Sequence, residues 1–168
     1  MTPETAKAIF PLVFAALVIL AAVKDLASFT IPNWISAVLV IAFVPAAWLA
    51  GVSLAGIGVA FALGVGMLAA GVGMFALGWL GGGDAKLMAA ASLWVGLKGL
   101  PAFIVFTGLG GGALALALLA LRSAWLRPMT SGAPSWTRRL ATPGEAAPYG
   151  VAIALGALAA FSVAQPLA

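Results

Sequence analysis

Apolar residues fill this chain in six long segments, and its few charges fall between the segments or close to their ends. The segments cover roughly 9–23, 34–50, 54–80, 85–96, 101–121 and 149–164. A helix needs about 20 mostly apolar residues to cross a bilayer. Of all residues, 64% are hydrophobic and 7% charged, against about 25% charged in an ordinary soluble domain. In water such a chain would expose large apolar patches and aggregate, whereas lipid tails solvate them. The expected fold class is therefore all-α: a polytopic membrane protein with about six transmembrane helices. It forms one membrane-embedded domain over 1–168, without a separate soluble domain or a linker. Glu4 breaks the basic run that opens a removable signal, and no small-x-small cleavage site precedes a soluble domain. The first segment is thus expected to stay as a helix.

The residue types narrow the chemistry. The chain has no Cys, which excludes disulfides, thiolate metal sites and cysteine nucleophiles. It has no His, the commonest metal ligand and general base. Neither a metal nor a cofactor is expected, and proton chemistry near neutral pH falls to Asp, Glu, Lys or Tyr. The net charge of +4 is small and fits loop anchoring, with nucleic acid not expected as a partner.

Basic residues orient the chain. With the N-terminus and C-terminus outside, the inner loops hold Lys24, Lys86, Arg122, Arg127, Arg138 and Arg139, and the outer side keeps Lys7 and Lys98. That arrangement obeys the positive-inside rule and its reverse does not. Asp25 and Asp84 then share the cytoplasmic side. The longest loop, 122–148, holds Pro128, Pro134, Pro143 and Pro148 with Trp125 and Trp136. It is expected to be irregular, with the tryptophans at headgroup level. Gly64, Gly71, Gly78, Gly108 and Gly112 are expected to serve close helix packing. The third and fourth segments meet in a short turn and should pack as neighbours.

Asp25 and Asp84 are the only aspartates. Asp84 follows Gly81-Gly82-Gly83, glycines that let the chain unwind or approach another backbone closely. Its plain role is a helix cap. Depth argues for more. From Asp84 to Lys98 runs about 21 Å of helix at 1.5 Å per residue, short of a hydrocarbon core about 30 Å thick. A carboxylate below the interface is costly and usually faces a functional cavity. Asp25 has a plain reading too, as a loop residue paired with Lys24. Thr30-Ile31-Pro32-Asn33-Trp34 then starts the second helix, with Thr30 or Asn33 near its cap and Pro32 in its first turn. This places Asp25 in a short connection at a depth similar to that of Asp84. Two carboxylates brought together can share one proton and titrate as a unit. One can take a proton from water while the other gives one to a scissile carbonyl.

At these residues the sequence resembles the type IV prepilin peptidase family of GxGD membrane aspartic proteases, in the short form that serves tight-adherence (Flp-type) pili. Gly81-Gly82-Gly83-Asp84 fits the GxGD motif, Asp25 followed by Ile31-Pro32-Asn33 fits the first motif, and 147–154 is similar to the opening of the last helix. The resemblance implies an aspartic endopeptidase of the bacterial inner membrane. It would cut the basic leader of prepilins or pseudopilins at the cytoplasmic face, after a glycine and before a hydrophobic pilin helix. It places catalysis on Asp25 and Asp84. Gly81 and Gly83 would allow the fold that joins them. Pro32, Asn33 and Lys86 are supporting or substrate-binding candidates, although Lys86 suits an interfacial anchor better and Asn33 a helix cap. Larger relatives also methylate the new N-terminus through a domain with paired cysteines. This chain lacks both, so no methylation is expected. In one departure, relatives often carry a basic residue shortly before the Ile-Pro-Asn, where this chain has Leu26-Ala27-Ser28-Phe29-Thr30.

Other functions compete. Presenilin-like and signal-peptide-peptidase-like proteases also carry GxGD, but they are usually larger, with a different first motif. A proton-coupled transporter could use buried carboxylates as a relay, yet the sequence has no clear inverted repeat or paired broken helices. A non-catalytic pilus-assembly subunit is the remaining alternative.

Overall fold

A computed structural model describes residues 3–123, 132 and 134–164. Arg127, Trp125 and Pro128 of the long loop lie outside the described residues. The described chain is helical without strands: α1 Pro3–Ser28, α2 Asn33–Leu49, α3 Leu54–Ala76, α4 Gly82–Leu121, α5 Ser135–Leu140 and α6 Tyr149–Ala164. By length and composition three helices can cross a membrane: α1 over Ile9–Ser28, α3 and α4. The apolar helices α2 and α6 are shorter.

Glycines decide where the long apolar runs break. α3 ends at Ala76, four residues before the end that hydropathy suggests, because Gly78 adopts a left-handed φ of 73°. There the Gly78 N–H donates to the Phe75 carbonyl and the Trp79 N–H to the Met74 carbonyl, closing the helix in a Schellman motif. Gly96 (φ 67°, ψ 178°) takes a conformation that glycine alone adopts readily, and it kinks α4 into two helices. The half before Gly96 runs antiparallel to α3, with Ala85 against Gly71 and Leu93 against Gly64. The half after it runs antiparallel to α6, with Gly99 against Ala164, Thr107 against Gly156 and Gly110 against Ala152. The chain therefore reverses at Gly96, and both outer ends of α4 return to the same end of the bundle. The fourth and fifth apolar segments are the two arms of this hairpin.

Within a bilayer, helix association rests on close packing and interhelical hydrogen bonds, not on escape from water. α6 presents Gly150, Ala152, Ala154, Gly156, Ala157 and Ala160, all buried. Such small side chains let α4 and α1 come close. The bundle centre is aromatic. Phe14 stacks on Trp94 with centroids 5.2 Å apart and meets Phe161 at 4.8 Å, while Phe43 meets Trp94 edge-on at 5.9 Å. The fully buried Trp94 indole N–H donates to the Leu39 carbonyl of α2 at 2.9 Å. Large apolar side chains such as Leu12, Ile41, Leu54, Val65 and Leu116 cover the outside, as a lipid-facing surface requires.

Several sequence expectations change here. α1 continues to Ser28, so Asp25 stands near the end of a helix, not in a connection. Among the glycines expected to serve packing, Gly64 and Gly71 do so. Gly78 shapes a turn, and Gly108 and Gly112 have open space around them. The long loop is not wholly irregular, since α5 forms within it behind Pro134.

Candidate active site

The site is built where the α1–α2 turn meets the N-termini of α4 and α6. Asp25 and Asp84 are both buried, at 5% and 7% exposure. They line one cavity of about 240 Å³ with Phe29, Thr30, Ile31, Asn33, Gly81, Gly82 and Gly83. The structure thus brings the two aspartates together.

Each carboxylate is held by a backbone N–H at a helix start. Those first N–H groups have no partner within the helix and point along its positive dipole end, so a carboxylate is well placed there. Oδ2 of Asp25 accepts from the Gly150 N–H of α6 at 2.7 Å. Oδ2 of Asp84 accepts from the Gly81 N–H at 3.2 Å. Asp84, at the third position of α4, thereby reaches back to the residue that precedes the helix, as in one half of a capping box. The capping role is real, but it occupies one oxygen. Oδ1 of Asp84 is buried and makes no hydrogen bond among the described residues, an arrangement that is costly unless the oxygen has a function.

Ile31 joins the two halves. A β-carbon at Gly83 would stand 3.1 Å from Ile31 Cβ and 3.3 Å from its carbonyl oxygen. A β-carbon at Gly150 would stand 2.9 Å from Ile31 Cδ1 and 2.8 Å from Asp25 Oδ2. Glycine at both places lets Ile31 wedge between α4 and α6. Gly81 is constrained likewise, since a β-carbon there would stand 2.7 Å from Asp84 Oδ2. The triple glycine does not unwind: Gly82 and Gly83 lie in the first turn of α4, and Gly81 precedes it.

Pro32 occupies the position before α2, not its first turn, and makes no side-chain cap. Asn33 is not a cap either. Its Oδ1 accepts from Lys86 Nζ at 2.9 Å, which ties the start of α2 to the start of α4 beside the cavity. Asn33 and Lys86 also line a larger groove of about 580 Å³ between α2, α3 and α4. Its walls are otherwise mostly apolar, with Val40, Ile41, Phe61, Val65, Leu68 and Leu93, and neither aspartate reaches it.

Sequence reasoning missed three contributors. Gly150 acts through its N–H, so no side chain announces it. The wedge role of Ile31 depends on two glycines far away in sequence. Arg139, counted only as a loop charge, places its guanidinium carbon 4.8 Å from the centroid of the Phe29 ring. A positive charge therefore stands beside the stretch before Ile31-Pro32-Asn33 that has no basic residue of its own. Phe29 has φ 55°, a left-handed backbone that costs a residue with a β-carbon about 1–2 kcal/mol.

Comparison with curated proteins and with solved structures found no match. The type IV leader peptidase family model matches residues 12–116, a span that takes in both aspartates. The chain belongs to the type IV leader peptidase family, a membership that implies a protease acting on leader peptides.

Proposed function

We propose that this protein is an aspartic endopeptidase that removes the leader of Flp-type prepilins at the cytoplasmic face of the bacterial inner membrane. Asp25 and Asp84 are its catalytic pair. It crosses the membrane six times, as α1, α2, α3, the two arms of α4, and α6, with both termini outside. The whole chain is one peptidase domain that needs neither metal nor cofactor and transfers no methyl group.

The observation that carries this reading is the shared cavity: the only two aspartates of an apolar chain are buried against it together. One carboxylate takes a proton from a water as that water attacks the scissile carbonyl. The other, protonated, donates to the carbonyl oxygen. Gly150 and Gly81 each occupy one oxygen of their aspartate, leaving the second oxygen of each for the proton transfers. The neighbouring apolar groove suits the hydrophobic helix that follows a pilin leader, and Asn33, shared by groove and cavity, stands where the two parts of such a substrate would meet. The five described basic residues of the proposed inner side support the orientation. Lys24 and Lys86 are sequence neighbours of the aspartates, Arg139 stands on Phe29, Arg122 bonds the loop before α6, and Arg138 shares α5. Lys98 lies beside the Gly96 reversal at the opposite end. A proton relay would need a path across the bundle, and its centre is instead filled by Phe14, Trp94, Phe43 and Phe161.

The test is reconstitution in liposomes with a prepilin, following the size shift on a gel. Cleavage by the wild type and none by Asp25→Asn or Asp84→Asn is expected. Robust cleavage by either variant would overturn the pair. Failure of the wild type on several prepilins would return the transporter and assembly-subunit readings.

A further inference from the structure

The turn that follows α1 carries a strained backbone, and the cavity depends on it. Phe29 is the only non-glycine residue with a positive φ among the described residues. Its N–H donates to the Asp25 carbonyl at 2.7 Å, so its conformation is tied to the helical turn that presents Asp25. The chain then reverses, sending Ile31 between Gly83 and Gly150. Phe29 also lines the cavity itself. A residue in a sparsely populated backbone region persists where its surroundings over-determine it. The hydroxyl of Ser28 spans part of this turn, bonding the Lys24 carbonyl at 2.8 Å and standing 2.9 Å from the Thr30 hydroxyl. Neither contact reaches the Phe29 ring.

The Arg139 guanidinium stands over the ring. A guanidinium over an aromatic face is attracted by the ring's negative π cloud, and here the separation is 4.8 Å. Arg139 is itself anchored. It lies in the last turn of α5, and the next residue, Leu140, is buried and gives its carbonyl to Arg122 Nε at 2.9 Å. The same Arg122 donates from Nη2 to the Ala146 carbonyl at 3.2 Å, shortly before α6 begins at Tyr149. A continuous set of contacts thus runs from the end of α4, through α5, to the turn beside Asp25.

We propose that α5 is a strap and that Arg139 is a positioning residue for the carboxylate pair. It holds Phe29 in its left-handed turn, so that Asp25 keeps its bond to Gly150 and Ile31 keeps its place against Gly83. The role rests on the reading that Asp25 and Asp84 are the catalytic pair, and Arg139 acts on them only through Phe29.

Two readouts test it on the full chain in liposomes. The first is prepilin cleavage, with kcat and KM measured for Arg139→Ala, Arg139→Lys, Phe29→Gly and Phe29→Gly/Arg139→Ala. Arg139→Ala should lower kcat by about two- to five-fold, the size of one exposed cation–π contact, with KM little changed. Arg139→Lys should keep most of the rate. Glycine accepts φ 55° without a clamp, so Arg139→Ala should have no further effect in the Phe29→Gly background. The second readout is independent of activity. Hydrogen–deuterium exchange at the Gly150 amide, whose N–H donates to Asp25 Oδ2, should speed up by a similar factor in Arg139→Ala. An unchanged kcat, an unchanged exchange rate at Gly150, or an Arg139→Ala effect that persists beside Phe29→Gly would each overturn the strap. If the wild type cleaves nothing, the peptidase reading fails, and the exchange rate alone decides the role of Arg139.

Discussion

A carboxylate inside an apolar bundle needs groups that stabilise its charge, and both aspartates find them in backbone N–H groups at helix starts. That choice leaves the side-chain environment free for substrate and makes glycine essential beside each carboxylate. At Gly150 the fit is tightest, because an added methyl group would press on Asp25 Oδ2, Asp25 Cβ and Ile31 Cδ1 at 2.8–3.0 Å. Overpacking of this kind typically costs about 1–3 kcal/mol. Gly150→Ala should therefore lower prepilin cleavage by about tenfold or more, measured as initial rate in liposomes. Gly108→Ala, with nothing within 4 Å of the added carbon, should leave the rate near wild type. Equal rates for the two variants would show that the Gly150 approach is not needed. The two aspartates were legible in the sequence because an oily chain carries few charges. The Gly150 donor was not, because a backbone N–H has no residue type to betray it.

Elements bring these residues into register, and close packing of α3 on the first arm of α4 is the clearest case. A β-carbon at Gly71 would stand 2.8 Å from Ala85 Cβ and 3.0 Å from its Cα, one residue beyond Asp84. Backbone on that side cannot yield as a flexible side chain would. Gly71→Ala should push the arm outward and cut cleavage several-fold. Gly73→Ala, whose β-carbon meets nothing within 4 Å, should be close to neutral; a neutral Gly71→Ala would contradict the packing. Hydropathy located every apolar helix, because the periodic demand of a bilayer is written in composition. It missed the ends that depend on conformation. Gly78 stops α3 early, and α1 runs five residues past Val23, because Asp25 and Lys24 interrupt hydropathy without breaking a helix. No apolar run marks α5, which is short and basic with only Trp136 and Leu140 apolar, so its place over Phe29 could not be read from the loop's composition.

On the scale of the whole molecule, the reversal at Gly96 sets the architecture. It returns Arg122 to the end where α4 began, and it leaves Asp84 on an arm from Gly82 to Val95 that spans about 21 Å, less than the hydrocarbon core. In the proposed six-span arrangement, an arm that short would hold Asp84 below the interface, at a depth where carboxylates serve function. The proposed orientation rests on the basic residues, which the reversal gathers at the end that holds the aspartates. In intact inner-membrane vesicles of known sidedness, an impermeant maleimide should label Lys98→Cys only from the periplasmic side and Arg138→Cys only from the cytoplasmic side. The reverse labelling would place the aspartates on the wrong face for a leader peptidase. The motifs around Asp25 and Asp84 point to the function class, while the meeting of α1, α4 and α6 around one cavity is a property of the fold that no single segment contains.

The central claim is that Asp25 and Asp84 act as one unit, and the most direct measurement compares initial rates of prepilin cleavage for the wild type, Asp25→Asn, Asp84→Asn and the double variant. A catalytic pair predicts that each single variant loses at least about 100-fold, the scale of general acid–base catalysis. It also predicts that the double variant is no slower than either single one, because residues acting as a unit are not additive. A single variant that keeps most of the rate, or losses that multiply in the double variant, would contradict it.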